Sequence, residues 1–212
     1  MSFASSKVRL LTAGDLLRAR EFTRTRSVAI PGAGAVARGS LVEIVGSRSS
    51  GRWALALSAL AAATAAGEAA ALLDPADQLD PKAAREAGAD LARLLWVRDI
   101  SFEHSLRAAE MIAQAGFAVV VLDLAPACRR RPRDLVWQRL ARAARAHQTL
   151  LLALSDFPLA GSWASAVVAV TGRRAVWDRA AEPPLLEGLA LTLDVRRPSG
   201  AASSPLSLPV RK

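Results

Sequence analysis

LVEIVGSRSSGRW, Leu41 to Trp53, starts as a short apolar run, turns at Gly46 into a loop closed by Gly51, and passes into an Ala-rich stretch from Trp53 to Ala66. Strand, glycine-bounded loop and helix in that order form a cradle in which backbone N–H groups at a helix N-terminus surround phosphates. Such a loop handles a nucleotide when it ends in a lysine for the terminal phosphates and a Ser or Thr hydroxyl for magnesium. Here those two positions are Arg52 and Trp53. Arg52 still offers a cation to an anion, whereas Trp53 has no oxygen for a metal and crowds the magnesium side. The scaffold is expected to persist with its chemistry compromised.

The same grammar repeats downstream. Ala70 to Asp74 reads as a strand, Pro81 to Ala87 as a helix and Leu94 to Val97 as another strand. Ser101 to Ala115 carries Leu106, Ala109, Ile112 and Ala113 at helical spacing, and Gly116 closes it before the apolar strand Ala118 to Leu122. Arg133 to His147 is a helix and Thr149 to Leu154 a buried strand. Strands alternating with helices predict an α/β fold with a mostly parallel sheet flanked by helices. Beyond Gly172, Arg174 to Asp178 and Leu189 to Val195 alternate as a small antiparallel extension, joined through Glu182-Pro183-Pro184. The expected organisation is an arm over 1–30, one domain over 31–197 and a flexible Ser-, Pro- and Ala-rich tail over 198–212. Within the arm, Leu11, Leu16, Leu17 and Phe22 give an amphipathic helix that serves a partner or packs on its own sheet.

Composition narrows the function. With 212 residues, 52% of them hydrophobic, the chain can bury a single-domain core. Lys+Arg number 28 against 19 Asp+Glu, a net +9 that is nearly all guanidinium because only Lys7, Lys82 and Lys212 are lysines. That charge argues for phosphate or acidic partners and not for a fold, although a GC-rich genome gives the same Arg and Ala bias. Cys128 stands alone, which excludes an internal disulfide framework or a Cys-rich zinc site and fits a reducing cytoplasm. Neither a signal peptide nor a membrane span is expected, since Met1 to Leu11 is too polar and Glu68 interrupts the apolar stretch Trp53 to Leu73. His104 and His147 lack acidic or thiol company, so no metal site is expected.

The loop and its strand resemble those of bacterial RecA, where SSGK precedes Thr. The likeness continues in register. Leu72-Leu73-Asp74-Pro75-Ala76-Asp77-Gln78-Leu79-Asp80-Pro81 is similar to the RecA segment FIDAEHALDP, Val119 to Asp123 falls at the Walker B strand, and the resemblance runs from Val36 to Gly172. It implies a RecA-like core in which the family's catalytic glutamate falls on Ala76, with Asp77 a poorly placed substitute. Asp123 takes the position of the aspartate that supports magnesium, and Asp156 that of the nucleotide-sensing glutamine. The degenerate nucleotide site thus comprises Gly46, Ser49, Ser50, Gly51, Arg52, Trp53, Ala76, Asp123 and Asp156. The family's second DNA loop shrinks to a few residues after Ser155-Asp156-Phe157-Pro158, and the first is short, from Ala125 to Arg133. These departures imply a protein that is not an enzyme and holds no cofactor.

Small basic RecA-like chains with a degenerate loop resemble the ImuA family, which the Pro- and Gly-rich approach Ala29 to Gly39 also fits. That resemblance implies a cytoplasmic, nucleoid-associated accessory of the SOS response and translesion DNA synthesis. Its implied partners are RecA, a Y-family polymerase-like subunit of ImuB type and an error-prone replicative-type polymerase. The alternatives are a residual ATP-binding repair ATPase and a SulA-like division inhibitor. Arg129, Arg130, Arg131 and Arg133, followed by Arg139, Arg142 and Arg145 along a helix, form a basic stripe for DNA or an acidic partner, or a solvated face. Among the tryptophans, Trp96 and Trp163 are expected in the core and Trp137 and Trp177 at the surface.

Overall fold

Neighbouring residues of the central strands serve opposite faces of one sheet. In a computed structural model of the chain, which describes residues 27–124, 131–178, 180, 182–197 and 200–209, strand β7 (Leu150–Ser155) shows this plainly. Leu150, Leu152 and Leu154 pack into one apolar cluster, Leu151 and Ala153 into the other. Burial on both faces explains why these strands read as unbroken apolar runs.

The remaining elements follow in chain order: a hairpin of β1 (Ser27–Ile30) and β2 (Gly34–Ala37), then β3 (Leu41–Val45), α1 (Arg52–Ala65), β4 (Ala70–Asp74), α2 (Pro81–Glu86), β5 (Leu94–Arg98), α3 (Phe102–Gln114), β6 (Val119–Asp123) and α4 (Asp134–His147) precede β7, and β8 (Ala166–Asp178), β9 (Leu185–Arg197) and β10 (Gly200–Pro209) follow it. The described residues form an eight-stranded sheet in the order β10-β9-β8-β3-β7-β6-β4-β5 and a two-stranded sheet from the hairpin. From β8 to β5 all neighbours are parallel, and β9 and β10 add antiparallel strands at the edge. The mostly parallel sheet with an antiparallel extension, expected from the sequence, is present.

Local signals set the helix starts. Asp80 caps α2 by accepting from the Lys82 N–H at 2.8 Å, with Pro81 in the first turn. Ser101 caps α3 by accepting from the His104 N–H at 3.2 Å. α1 packs its Leu55, Ala59 and Leu60 on one face of the sheet. α3 and α4 cover the other with Leu106, Ala109, Trp137 and Leu140. The phosphate-type loop therefore leaves β3 at the carboxyl end of the parallel sheet, beside the end of β7.

Three expectations are corrected. Gly200–Pro209, expected to be flexible, forms β10 against β9. Its Ser- and Pro-rich composition carries little strand propensity, but the free edge of a long strand supplies the pairing, and an edge position tolerates Pro205 and Pro209. Trp137 is fully buried. It shares the sheet-facing side of α4 with Leu140, whereas the polar neighbours that marked it as exposed lie on other sides of the helix. Trp163 is 37% exposed, because it sits in a single 3-10 turn, Gly161–Trp163, instead of a strand. Trp177 is exposed as expected. Trp96 is half-buried beneath the Arg98 guanidinium, 4.6 Å from its ring centroid. The arm residues Leu11, Leu16, Leu17 and Phe22, with Arg129 and Arg130, lie outside the described residues.

Candidate functional site

Parallel pairing of Val45 with Ser155 brings the loop after β3 against the segment after β7. The Gly46 N–H donates to the Ser155 carbonyl at 3.1 Å. Gly51 has φ +107°, and a Cβ on it would lie 2.7 Å from Leu191 Cδ2, so this turn needs glycine for both conformation and space. Ser49 also sits at positive φ, and its carbonyl accepts from the Arg173 guanidinium. Reading the sequence alone missed Arg173, which alternates in β8 like any strand residue and gives no local signal.

Arg52 begins α1 and is only 4% exposed. Its Nη1 donates to the Gly46 carbonyl, to the Ser155 carbonyl at 3.1 Å, and to Asp156 Oδ1, with which it forms an ion pair. The guanidinium is thus held at the base of the loop by two carbonyls and a carboxylate. Trp53 packs half-buried against the α1-side core. As arranged, the donor set does not fit a magnesium nucleotide: the cation that would meet phosphate already has an anionic partner, and Trp53 supplies no metal ligand.

On the Walker B side, Asp123 is fully buried at the end of β6, with Gln78 Nε2 at 3.4 Å. Asp74, at the end of neighbouring β4, is equally buried, and its Oδ2 accepts from the Leu79 N–H at 2.8 Å and from Trp96 Nε1 at 3.2 Å. Both carboxylates are built into strand ends. Ala76 is exposed and brings no carboxylate, and Asp77 is engaged by Arg98 at 3.3 Å. The structure therefore gathers Gly46, Ser49, Ser50, Gly51, Arg52 and Asp156 around one loop, with Trp53 turned into the core.

The basic stripe divides. Arg131 and Arg133 are exposed at the start of α4. Arg139 pairs with Glu110 of α3, with Nε 3.0 Å from Oε1, and the bonded carboxylate holds the guanidinium above its ordinary pKa. Arg142 and Arg145 instead line a cavity near the start of β3. Beneath the chain that follows β7, Glu43 is fully buried and accepts from the Leu159 and Ala160 N–H groups. Burial pushes its carboxyl above the usual range, against the opposing pull of those two N–H groups and of the Arg131 charge.

Compared with known families, residues 21–153 match the RecA N-terminal domain. The chain belongs to that family. Protein RecA of Nocardia farcinica is 41% identical over 93 residues, which is 43% of this chain and 27% of the relative. Protein RecA of Acidothermus cellulolyticus is 38% identical over 125 residues, 57% of this chain and 36% of the relative. Protein RecA of Frankia alni is 35% identical over 121 residues, 52% and 35% respectively. The chain therefore matches about a third of the length of these curated relatives. This corrects the expectation that the protein is not an enzyme: membership of the RecA N-terminal domain family and relatives named RecA point to an enzyme family. Among the described residues no helix is long and apolar enough to cross a membrane.

Proposed function

We propose that this RecA-like chain is an accessory of damage-induced mutagenesis, of the ImuA kind, working through protein contacts. The observation that carries the reading is the combination of a retained RecA-type sheet with a loop whose cation is held internally, Arg52 on Asp156. A subunit of this shape can meet RecA-like surfaces while its loop is engaged with its own chain. In this reading it brings an ImuB-type polymerase-like subunit and an error-prone replicative-type polymerase to damaged DNA in the cytoplasm and restrains growth of RecA filaments. The test is RecA filament assembly on single-stranded DNA, with the purified protein titrated from far below to above one per RecA, alongside co-purification of the polymerase-like subunit. Inhibition well below stoichiometry supports filament restraint and co-purification supports the adaptor role. The proposal fails if excess protein shows neither inhibition nor co-purification.

Family membership favours a second reading, nucleotide-dependent activity on DNA. Gly46, Gly51 and Asp123 keep their positions, so nucleotide entry requires Arg52 to leave Asp156 and meet phosphate. DNA-stimulated ATP hydrolysis, lost in a Gly51→Ala variant that still folds, would establish it. Hydrolysis no faster than in buffer alone would remove it.

A further inference from the structure

A second concave site lies away from the loop, where α4 passes the start of β3. Gly39, Leu41, Gln138, Arg142, Arg145 and Trp163 are among the residues around a cavity of about 520 Å³, within the usual range for ligand sites. Leu41 is nearly wholly buried beneath it, and Trp163 is 37% exposed. Arg142 and Arg145 are both exposed, and among the described residues neither takes part in an ion pair, unlike Arg139 on the same helix. Tryptophan and arginine are the side chains most often responsible for binding energy at protein interfaces, and guanidinium groups pair bidentately with carboxylates.

We propose that this groove is a docking site for an acidic peptide segment of a partner protein, with carboxylates on Arg142 and Arg145 and an aliphatic side chain against Trp163. Charge complementarity selects the occupant. Nucleic-acid affinity grows with the number of phosphates neutralised, and among the described residues this groove offers two guanidiniums without an ion pair: Arg139 is taken by Glu110, while Arg131 and Arg133 lie at the other end of α4. Two arginines beside an exposed indole suit a peptide better than a phosphate track. The proposal rests on the accessory reading only in taking the partner to be a protein.

The experiment uses the full chain and a short fluorescein-labelled peptide of aspartates and glutamates around two leucines, read by fluorescence anisotropy. Its Asn/Gln counterpart and an oligothymidylate of equal charge serve as comparisons. The acidic peptide is expected to bind, and Arg142→Glu/Arg145→Glu to weaken it at least about tenfold. The charge-matched Arg85→Glu/Arg174→Glu, at exposed positions elsewhere, should change it less than about twofold. Trp163→Ala, which leaves the charge untouched, should also weaken binding. The proposal is overturned if the acidic peptide does not bind, if the control double variant loses as much, or if oligothymidylate competes at the same concentration. Failure here leaves the accessory role to be judged by the mutagenesis phenotype of a deletion, which does not depend on this groove.

Discussion

Replacing Asp156 with Asn keeps an oxygen acceptor beside Arg52 and removes only the charge. The guanidinium stays charged and keeps a hydrogen bond to the Asn oxygen, so the swap forfeits only the ion-pair part, at most about 1 kcal/mol. The Asp156 side chain is 45% exposed while that of Arg52 is 5% exposed, and solvent screening brings the loss nearer about 0.5 kcal/mol. At about 2–4 °C per kcal/mol for a chain of this size, the melting temperature should fall by only about 1–2 °C. The larger effect is on anions. A carboxylate about 4 Å from an entering phosphate repels it by about 4 kcal/mol at an effective dielectric near 20, and half-exposure leaves about a third of that. Pyrophosphate, titrated calorimetrically at fixed ionic strength, should therefore bind Asp156→Asn roughly tenfold more tightly than wild type, since about 1.4 kcal/mol is a factor of ten. Adding Arg52→Ala should abolish the gain. Equal pyrophosphate affinity in wild type and Asp156→Asn would refute the view that this carboxylate competes with phosphate for Arg52.

Two further predictions probe the fold. Trp137→Ala should cost about 3–5 kcal/mol in urea unfolding, as removal of a fully buried aromatic does, whereas Trp177→Ala at an exposed position should stay within about 0.5 kcal/mol; similar costs for both would contradict the assignment of core and surface. Glu43 titrates above its ordinary 4.5 in the fold, so its neutral form favours folding: that contribution is fully present below the unfolded value and is lost as pH rises through the folded one. Glu43→Gln stays neutral, so the melting temperature of wild type relative to this variant should decline as pH rises from the ordinary carboxylate range through the raised folded value, and a constant difference would show that Glu43 is not held above its usual range.

Much of the fold was legible because its strands are buried on both faces. Leu150 to Leu154 and Val119 to Leu122 are continuous apolar runs, and Asp80-Pro81 and Ser101 mark helix starts through side-chain caps and a fixed φ. The positions around the loop could also be named from sequence, since strand, Gly46 and Gly51 follow in order. What the sequence could not show was pairing across the sheet. That Asp156 meets Arg52 depends on β7 lying beside β3, which joins residues 104 apart. Trp137 and Trp163 were misassigned because neighbours in sequence are a poor guide on a helix, where Gln138 and Arg139 point elsewhere, and in a single 3-10 turn with no periodicity. β10 was missed because its pairing comes from the free edge of β9 and not from its own residues. The basic stripe looked uniform because regular spacing says nothing about Glu110 on the facing helix.

The most direct test of the accessory role is the frequency of damage-induced mutation after deletion of the gene for this chain, with complementation by the wild-type copy. A fall in induced mutation that the wild-type copy restores is the predicted result. Unchanged induced mutation in the deletion strain would contradict the account.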